Sequence, residues 1–144
     1  MEDYKIISFD YTDKENFKHA NTIRTNVFVV EQKVDQRLEF DEYENVARHY
    51  LVFYKGIPVA TARWRETAEG VKLERYAVEK EYRNKGVASL ILQETLKDTL
   101  PLNKKIYLNS QVVAIGFYKK FGFKSEGELF VEADIDHYKM VYRP

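Results

Sequence analysis

Residues Leu73 to Leu100 read LERYAVEKEYRNKGVASLILQETLKDTL, an apolar strand, a basic turn and a long amphipathic helix in direct succession. Arg83, Asn84, Lys85, Gly86, Val87 and Ala88 fall where the helix begins. There the first N–H groups have no intrahelical partner and the macrodipole favours negative charge. A phosphate-bearing ligand is the natural occupant of such a turn. Gly86 lets the backbone come close to it, Ala88 is small enough for the first helical turn to pack on the preceding strand, and Arg83 and Lys85 add countercharge. Taken alone, a basic turn with one Gly before a helix is also common chain punctuation. Its spacing matches neither GxxxxGK[ST] nor GxGxxG, so the phosphate loops of the nucleotide folds are excluded.

Outward from this stretch the pattern is mixed α/β. Val71 to Val78 reads as a strand, and Ala88, Ile91, Leu92, Thr95 and Leu96 set one apolar stripe on the helix before Pro101 stops it. Ile106 to Leu108 is a short strand, and the intervening helix makes it parallel to the Val71 strand. Upstream, Lys5 to Phe9 reads as a strand, and Thr12 with Glu15 forms a capping box opening a helix marked by Phe17, Ala20, Ile23 and Val27. Tyr50 to Tyr54 and Ile57 to Trp64 make a hairpin about Lys55-Gly56. Downstream, Val113 to Phe121 is a short helix ended by Gly122, and strands near Phe123 to Phe130 and His137 to Tyr142 complete the sheet. Lys33 to Val46 is acidic and irregular, either a functional loop or short helix over a site or a solvated surface excursion. Period-two alternation puts Glu74, Tyr76 and Val78 on one strand face.

A chain of 144 residues is expected to form one domain, residues 1–144. Lys+Arg and Asp+Glu both number 23, which argues against a sequence-independent nucleic-acid binder. With no Cys there is no disulfide framework and no thiolate nucleophile. No H-E-x-x-H spacing supports a metal hydrolase and no G-x-S-x-G elbow supports a serine nucleophile. The apolar runs are too short for a membrane span, and the start MEDYKIISFD lacks a signal peptide's basic and apolar regions, so a soluble cytoplasmic protein is expected.

R-x-x-G-x-A after a strand ending in A-V, together with GFYKKFGF at Gly116 to Phe123, resembles the GCN5-related N-acetyltransferases, the GNAT family. F-V-V-E-Q, Phe28 to Gln32, and the run F-V-E-A-D-I-D-H-Y-K-M resemble its small-molecule branch of ElaA-type and YjcF-type acetyltransferases. The resemblance implies a mixed, mostly antiparallel sheet with a central splayed parallel strand pair flanked by helices. It implies acetyl-coenzyme A as co-substrate, with no metal, and a small-molecule amine as acceptor in a monomer or homodimer. The Arg83–Ala88 turn would hold the pyrophosphate, and backbone groups of Ala77 and Val78 would bond the pantetheine arm between the splayed strands. Asn109 would reach the cofactor or cap a turn. Tyr118, in the F-Y-x-x-x-G-F setting, would protonate the departing thiolate, and a phenol with an ordinary pKa of about 10 keeps its proton for that purpose. The base is His137, Glu74 or a water chain. His19 and His49 are read as structural. Arg24 would point toward the substrate, and Arg75 would orient a substrate carboxylate or pair with a loop acid. Gln111 stands where some acid-selecting relatives have an arginine, against an anionic substrate. Acyl-coenzyme A binding without turnover, and acetylation of peptide amines, are the alternative functions.

Overall fold

The computed structural model describes residues 3–144; Met1 and Glu2, where the reading of the N-terminal segment starts, lie outside the described residues. Among the described residues seven strands pair into one sheet: β1 (Tyr4–Phe9), β2 (Arg48–Tyr54), β3 (Ile57–Glu66), β4 (Val71–Val78), β5 (Ile106–Gln111), β6 (Phe123–Glu132) and β7 (Ile135–Tyr142), in the spatial order β1-β2-β3-β4-β5-β7-β6. β4 and β5 are parallel and the other neighbours antiparallel. The helices are α1 (Lys14–Arg24), α2 (Gln36–Glu39), α3 (Val87–Thr99) and α4 (Ile115–Lys120).

α1 opens one residue later than the capping box implies. Asp13 caps it, its side chain accepting from the Asn16 N–H, while Thr12 bonds back to Asp10. A carboxylate at that position also complements the helix dipole. Beyond Arg24 the helix widens into a π-helical run, Thr25–Glu31, which carries Val27 and Phe28 into the core.

The apolar stripe of α3 packs Leu92 and Leu96 on Leu73, Ile106 and Leu108, with Phe123 and Met140 completing that side of the sheet. The opposite face is covered by Ala20 and Ile23 of α1 together with Val27, Phe28 and Val34, against Phe9, Leu51 and Ala77.

β4 carries the feature that makes room for a site. Thr61 pairs with Ala77 and Arg63 with Glu74, so Arg75 and Tyr76 oppose Ala62 alone, and Arg75 has a φ of 59°. Such a bulge bends its strand. β4 accordingly pairs with β5 only at Val71–Ile106, Lys72–Tyr107 and Leu73–Leu108, and the remainders of both strands diverge. The bulge also corrects the alternation read from sequence. Glu74 bonds to residues of β3 on the α1 face, whereas the Tyr76 hydroxyl meets Thr95 of α3, so the two side chains lie on opposite faces. No helix among the described residues is long and apolar enough to cross a membrane.

Candidate active site

The divergence of β4 and β5 opens a cleft of about 780 Å³ that passes between the two faces of the sheet. On the α3 face it is lined by the turn before α3, by Phe117 and Tyr118 of α4, and by Leu73 and Leu108. On the α1 face it meets Phe28, Val34 and Leu38, together with Ala133 and Ile135 of the β6–β7 hairpin.

The turn has the geometry of an anion cradle. Asn84 and Gly86 both have left-handed backbone, φ 61° and 82°, while Lys85 between them does not. Alternating handedness of this kind gathers successive N–H groups into a concavity. Gly86 is the N-cap of α3 and offers no side-chain cap, and the first helical bond runs from the Leu90 N–H to the Gly86 carbonyl. The N–H groups of Val87, Ala88 and Ser89 are therefore left for a ligand. Arg83 braces the turn, its Nε donating to the Val78 carbonyl at 2.9 Å and its guanidinium pairing with Glu31 at 2.8 Å. Lys85 points away from the cleft lining and donates to the Glu81 carbonyl. Cleft, diverging strands with free backbone groups, and cradle together suit a long, amide-bearing ligand ending in phosphates.

Tyr118 is only 8% exposed and stands edge-on to Tyr76, Phe117 and Phe123. Burial pushes its phenol well above the ordinary value, so the hydroxyl stays protonated at any physiological pH. No protein group among the described residues takes up that hydroxyl in a hydrogen bond. His137, on β7, also lines the cleft and stacks on Phe130. Its Nδ1 lies 2.7 Å from the Ile135 carbonyl oxygen. A carbonyl only accepts, so Nδ1 carries the proton and Nε2 of the neutral ring presents a lone pair. Glu132, 3.9 Å from Nε2, is the nearest carboxylate.

Ala77, Val78, Asn84, Asn109, Arg75 and Gln111 line the same cleft. Gln111 donates through Nε2 to Gln32 Oε1 at 2.8 Å, a link across the gap. Asn109 sits within β5 opposite Lys139 and not at a strand end. Arg75 pairs with Glu39 at 3.1 Å and Asp41 at 3.2 Å, both acids of the irregular stretch after α1. Glu74 has its carboxylate held by Arg65 at 2.6 Å, Arg63 at 3.1 Å and Lys72 at 3.5 Å. Burial alone would raise its pKa, but Arg63, Lys72 and Arg65 outweigh burial and hold it below the ordinary value. Arg24 is 1% exposed and absent from the cleft lining, its guanidinium consumed by Glu39 and Glu44. His49 is likewise internal, with Nε2 at 2.9 Å from the Glu44 carbonyl.

Gln32, Glu39 and Glu132 are among the lining residues that were not singled out as site residues from the sequence. Gln32 lay within the quoted F-V-V-E-Q segment and Glu39 within the acidic run, but nothing local marks which acid turns inward. Glu132 is brought beside His137 by the two-residue turn Ala133-Asp134, both with positive φ, which pairs Glu132 with Ile135.

Comparison with known proteins agrees with this fold. Residues 8–144 match the family model described as an acetyltransferase (GNAT) domain. The uncharacterized N-acetyltransferase YjcF of Bacillus subtilis is 38% identical over 132 residues, covering 90% of this chain and 94% of that protein. Protein ElaA of Escherichia coli is 31% identical over 124 residues, 82% of this chain and 81% of ElaA. The crystal structure of Escherichia coli ElaA superposes with a TM-score of 0.87 over 98% of this chain and 99% of that one, at 25% identity. An acyl-CoA N-acyltransferase from Pseudomonas aeruginosa shares the fold with a TM-score of 0.87 at 24% identity, over 98% of this chain and 99% of its own. The chain belongs to the GNAT acetyltransferase family and is an acyltransferase.

Proposed function

We propose that this protein transfers the acetyl group of acetyl-coenzyme A directly to the primary amine of a small molecule. The observation that carries the reading is that one cleft joins the unpartnered N–H groups at the start of α3, the Tyr118 hydroxyl and the free Nε2 of His137. Acetyl-coenzyme A supplies the activated acetyl thioester. The backbone of Val87, Ala88 and Ser89 holds its pyrophosphate, and groups freed by the divergence of β4 from β5 hold the pantetheine arm. Nε2 of His137 takes a proton from the acceptor amine, and Tyr118 donates one to the departing thiolate. No covalent enzyme intermediate is required, since the chain has no Cys and the amine itself is the nucleophile.

The reading is tested by thermal denaturation with coenzyme A, NAD and ATP at equal concentration, alongside thiol release from acetyl-coenzyme A in the presence of amines. A ligand of the native state raises the melting temperature. Strong protection by coenzyme A, weak protection by NAD and ATP, and amine-dependent thiol release are expected. Equal protection by all three, or thiol release indifferent to amine, would overturn the reading.

A further inference from the structure

The α1-face half of the cleft lies across the sheet from Tyr118 and the pyrophosphate turn, so an acceptor reaching the acyl carbon must enter there. Part of its wall is apolar. Phe28 and Val34 belong to one buried cluster, and Ala133 and Ile135 of the β6–β7 hairpin pack against that cluster from the other side of the gap. The polar groups at this end are mostly engaged already. Arg75 is balanced by Glu39 and Asp41 and donates further to the Leu38 and Glu39 carbonyls at 3.2 Å. The Gln111 amide donates through Nε2 to the Gln32 amide oxygen. Glu132 is different: its side chain is 54% exposed, and among the described residues its contact at this end is the 3.9 Å approach to His137 Nε2.

Resting on the acetyltransfer reading, we infer that the acceptor is a primary amine on an apolar, uncharged skeleton, an alkyl- or arylalkylamine, drawn in by Glu132. Among the described residues a substrate carboxylate would find no free cation at this end, since Arg75 is already neutralised. A polyhydroxylated aminosugar would have to bury hydroxyls against Phe28, Val34 and Ile135 without partners, which is costly. An ammonium group, by contrast, meets the Glu132 carboxylate at the mouth and His137 Nε2 next to it. The ammonium gives one proton to Nε2, the amine nitrogen bonds to the acetyl carbon, and the C–S bond breaks. The second nitrogen-bound proton leaves to solvent as the amide forms, the thiolate takes a proton from Tyr118, and the proton held on His137 Nε2 returns through solvent to the Tyr118 oxygen. In sum, ammonium and thioester give amide, thiol and one proton.

The test compares 2-phenylethylamine and hexylamine with phenylalanine, which adds an α-carboxylate to the same body, and with glucosamine. Two readouts are used: kcat/KM from thiol release, and calorimetric binding of each amine to protein saturated with coenzyme A. The simple amines are expected to exceed phenylalanine and glucosamine by at least roughly 10-fold in both, since opposite-sign contacts at a site change affinity by that order. Glu132→Gln is expected to raise KM for phenylethylamine several-fold while leaving coenzyme A affinity unchanged. Phenylalanine or glucosamine equalling the simple amines overturns the inference, as does coenzyme A binding with no amine of the panel bound. Failure of coenzyme A itself to bind overturns the acetyltransfer reading and the inference with it.

Discussion

Arg24 and Glu44 meet through two parallel hydrogen bonds, Nη1 to Oε1 at 2.9 Å and Nη2 to Oε2 at 2.7 Å. The same guanidinium bonds the Glu39 carboxylate through Nε at 2.9 Å, and Arg63, fully buried, holds Asp41 and Glu44 at 2.7 Å each. The acidic stretch after α1 is thus clamped on the sheet by arginines from α1, β3 and β4. Planar guanidinium groups suit this because each meets two acceptors at once. The clamp fixes Leu38 and Glu39 at the cleft wall, so a surface-looking acidic loop becomes part of the cleft.

Arg24→Ala is therefore expected to destabilise the fold and not to remove a substrate contact. It takes one of two guanidinium partners from each of the buried Glu39 and Glu44, which keep Arg75 and Arg63, and breaking a buried pair costs up to about 3–5 kcal/mol. Denaturant titration reads that loss, and the KM of the remaining folded protein should change little. A loss below about 1 kcal/mol with a large rise in KM would restore Arg24 to the substrate site.

The clamp also sets a pH dependence. For Asp41, Glu44 and Glu74 burial opposes the charged form, yet arginines outweigh it, leaving Asp41 at about 2 and the other two below their ordinary values. Between the folded and unfolded pKa values the unfolded chain binds more protons, so these groups stabilise the fold above the unfolded range near 4 and lose that contribution as pH falls. Glu39 has the opposite sign, because burial outweighs Arg75 and Arg24 and raises its pKa, so its contribution weakens as pH rises. Three groups against one predict a denaturation midpoint that falls on acidification below about pH 4.5. A midpoint constant down to pH 3 would contradict this.

The core of the fold was legible because it rests on local pattern. Val71–Val78 was read as a strand, the apolar stripe of α3 came directly from the period of its apolar residues, and the start of α3 from the turn at Gly86. The bulge was not legible, since Arg75 at positive φ carries no mark that a Gly would have supplied, and one extra residue turned Glu74 away from Tyr76. The destination of Glu39, Asp41 and Glu44 was also hidden. Their partners Arg24, Arg63 and Arg75 lie 15 to 36 residues away in the chain, and only tertiary folding selects which charges meet.

Gly86→Val tests the cradle. At a φ of 82° a β-branched residue is strained by about 1–2 kcal/mol, and its side chain stands beside the N–H groups of α3. The variant should remain folded with a modest loss of stability and bind coenzyme A at least about 10-fold more weakly by calorimetry. Unchanged affinity in the folded variant would place the pyrophosphate elsewhere.

Tyr118→Phe keeps the ring between Tyr76, Phe117 and Phe123 and removes only the donor. Turnover should fall roughly 100-fold or more with coenzyme A affinity nearly unchanged, the signature of an interaction made in the transition state alone. A thiol-independent check is available. An acyl donor whose leaving thiolate is intrinsically more stable should narrow the gap between variant and parent, and an unchanged gap would assign Tyr118 to packing.

His137 and Glu74 separate on the pH profile of kcat/KM. A base must be unprotonated to act, so activity rises with pH until the base has lost its proton, and removing the base removes that limb. With Nδ1 committed to the Ile135 carbonyl, His137 offers Nε2 toward the cleft, whereas Glu74 is tied to Arg63, Arg65 and Lys72 and held below the ordinary carboxylate value. A carboxylate so stabilised is a weak proton acceptor. His137→Ala should therefore lower turnover near neutral pH and abolish the acid limb, while Glu74→Gln should cost stability and leave the limb in place. The reverse pattern would make Glu74 the base. A limb that survives both substitutions would leave proton removal to water and confine the mechanism's side-chain chemistry to Tyr118.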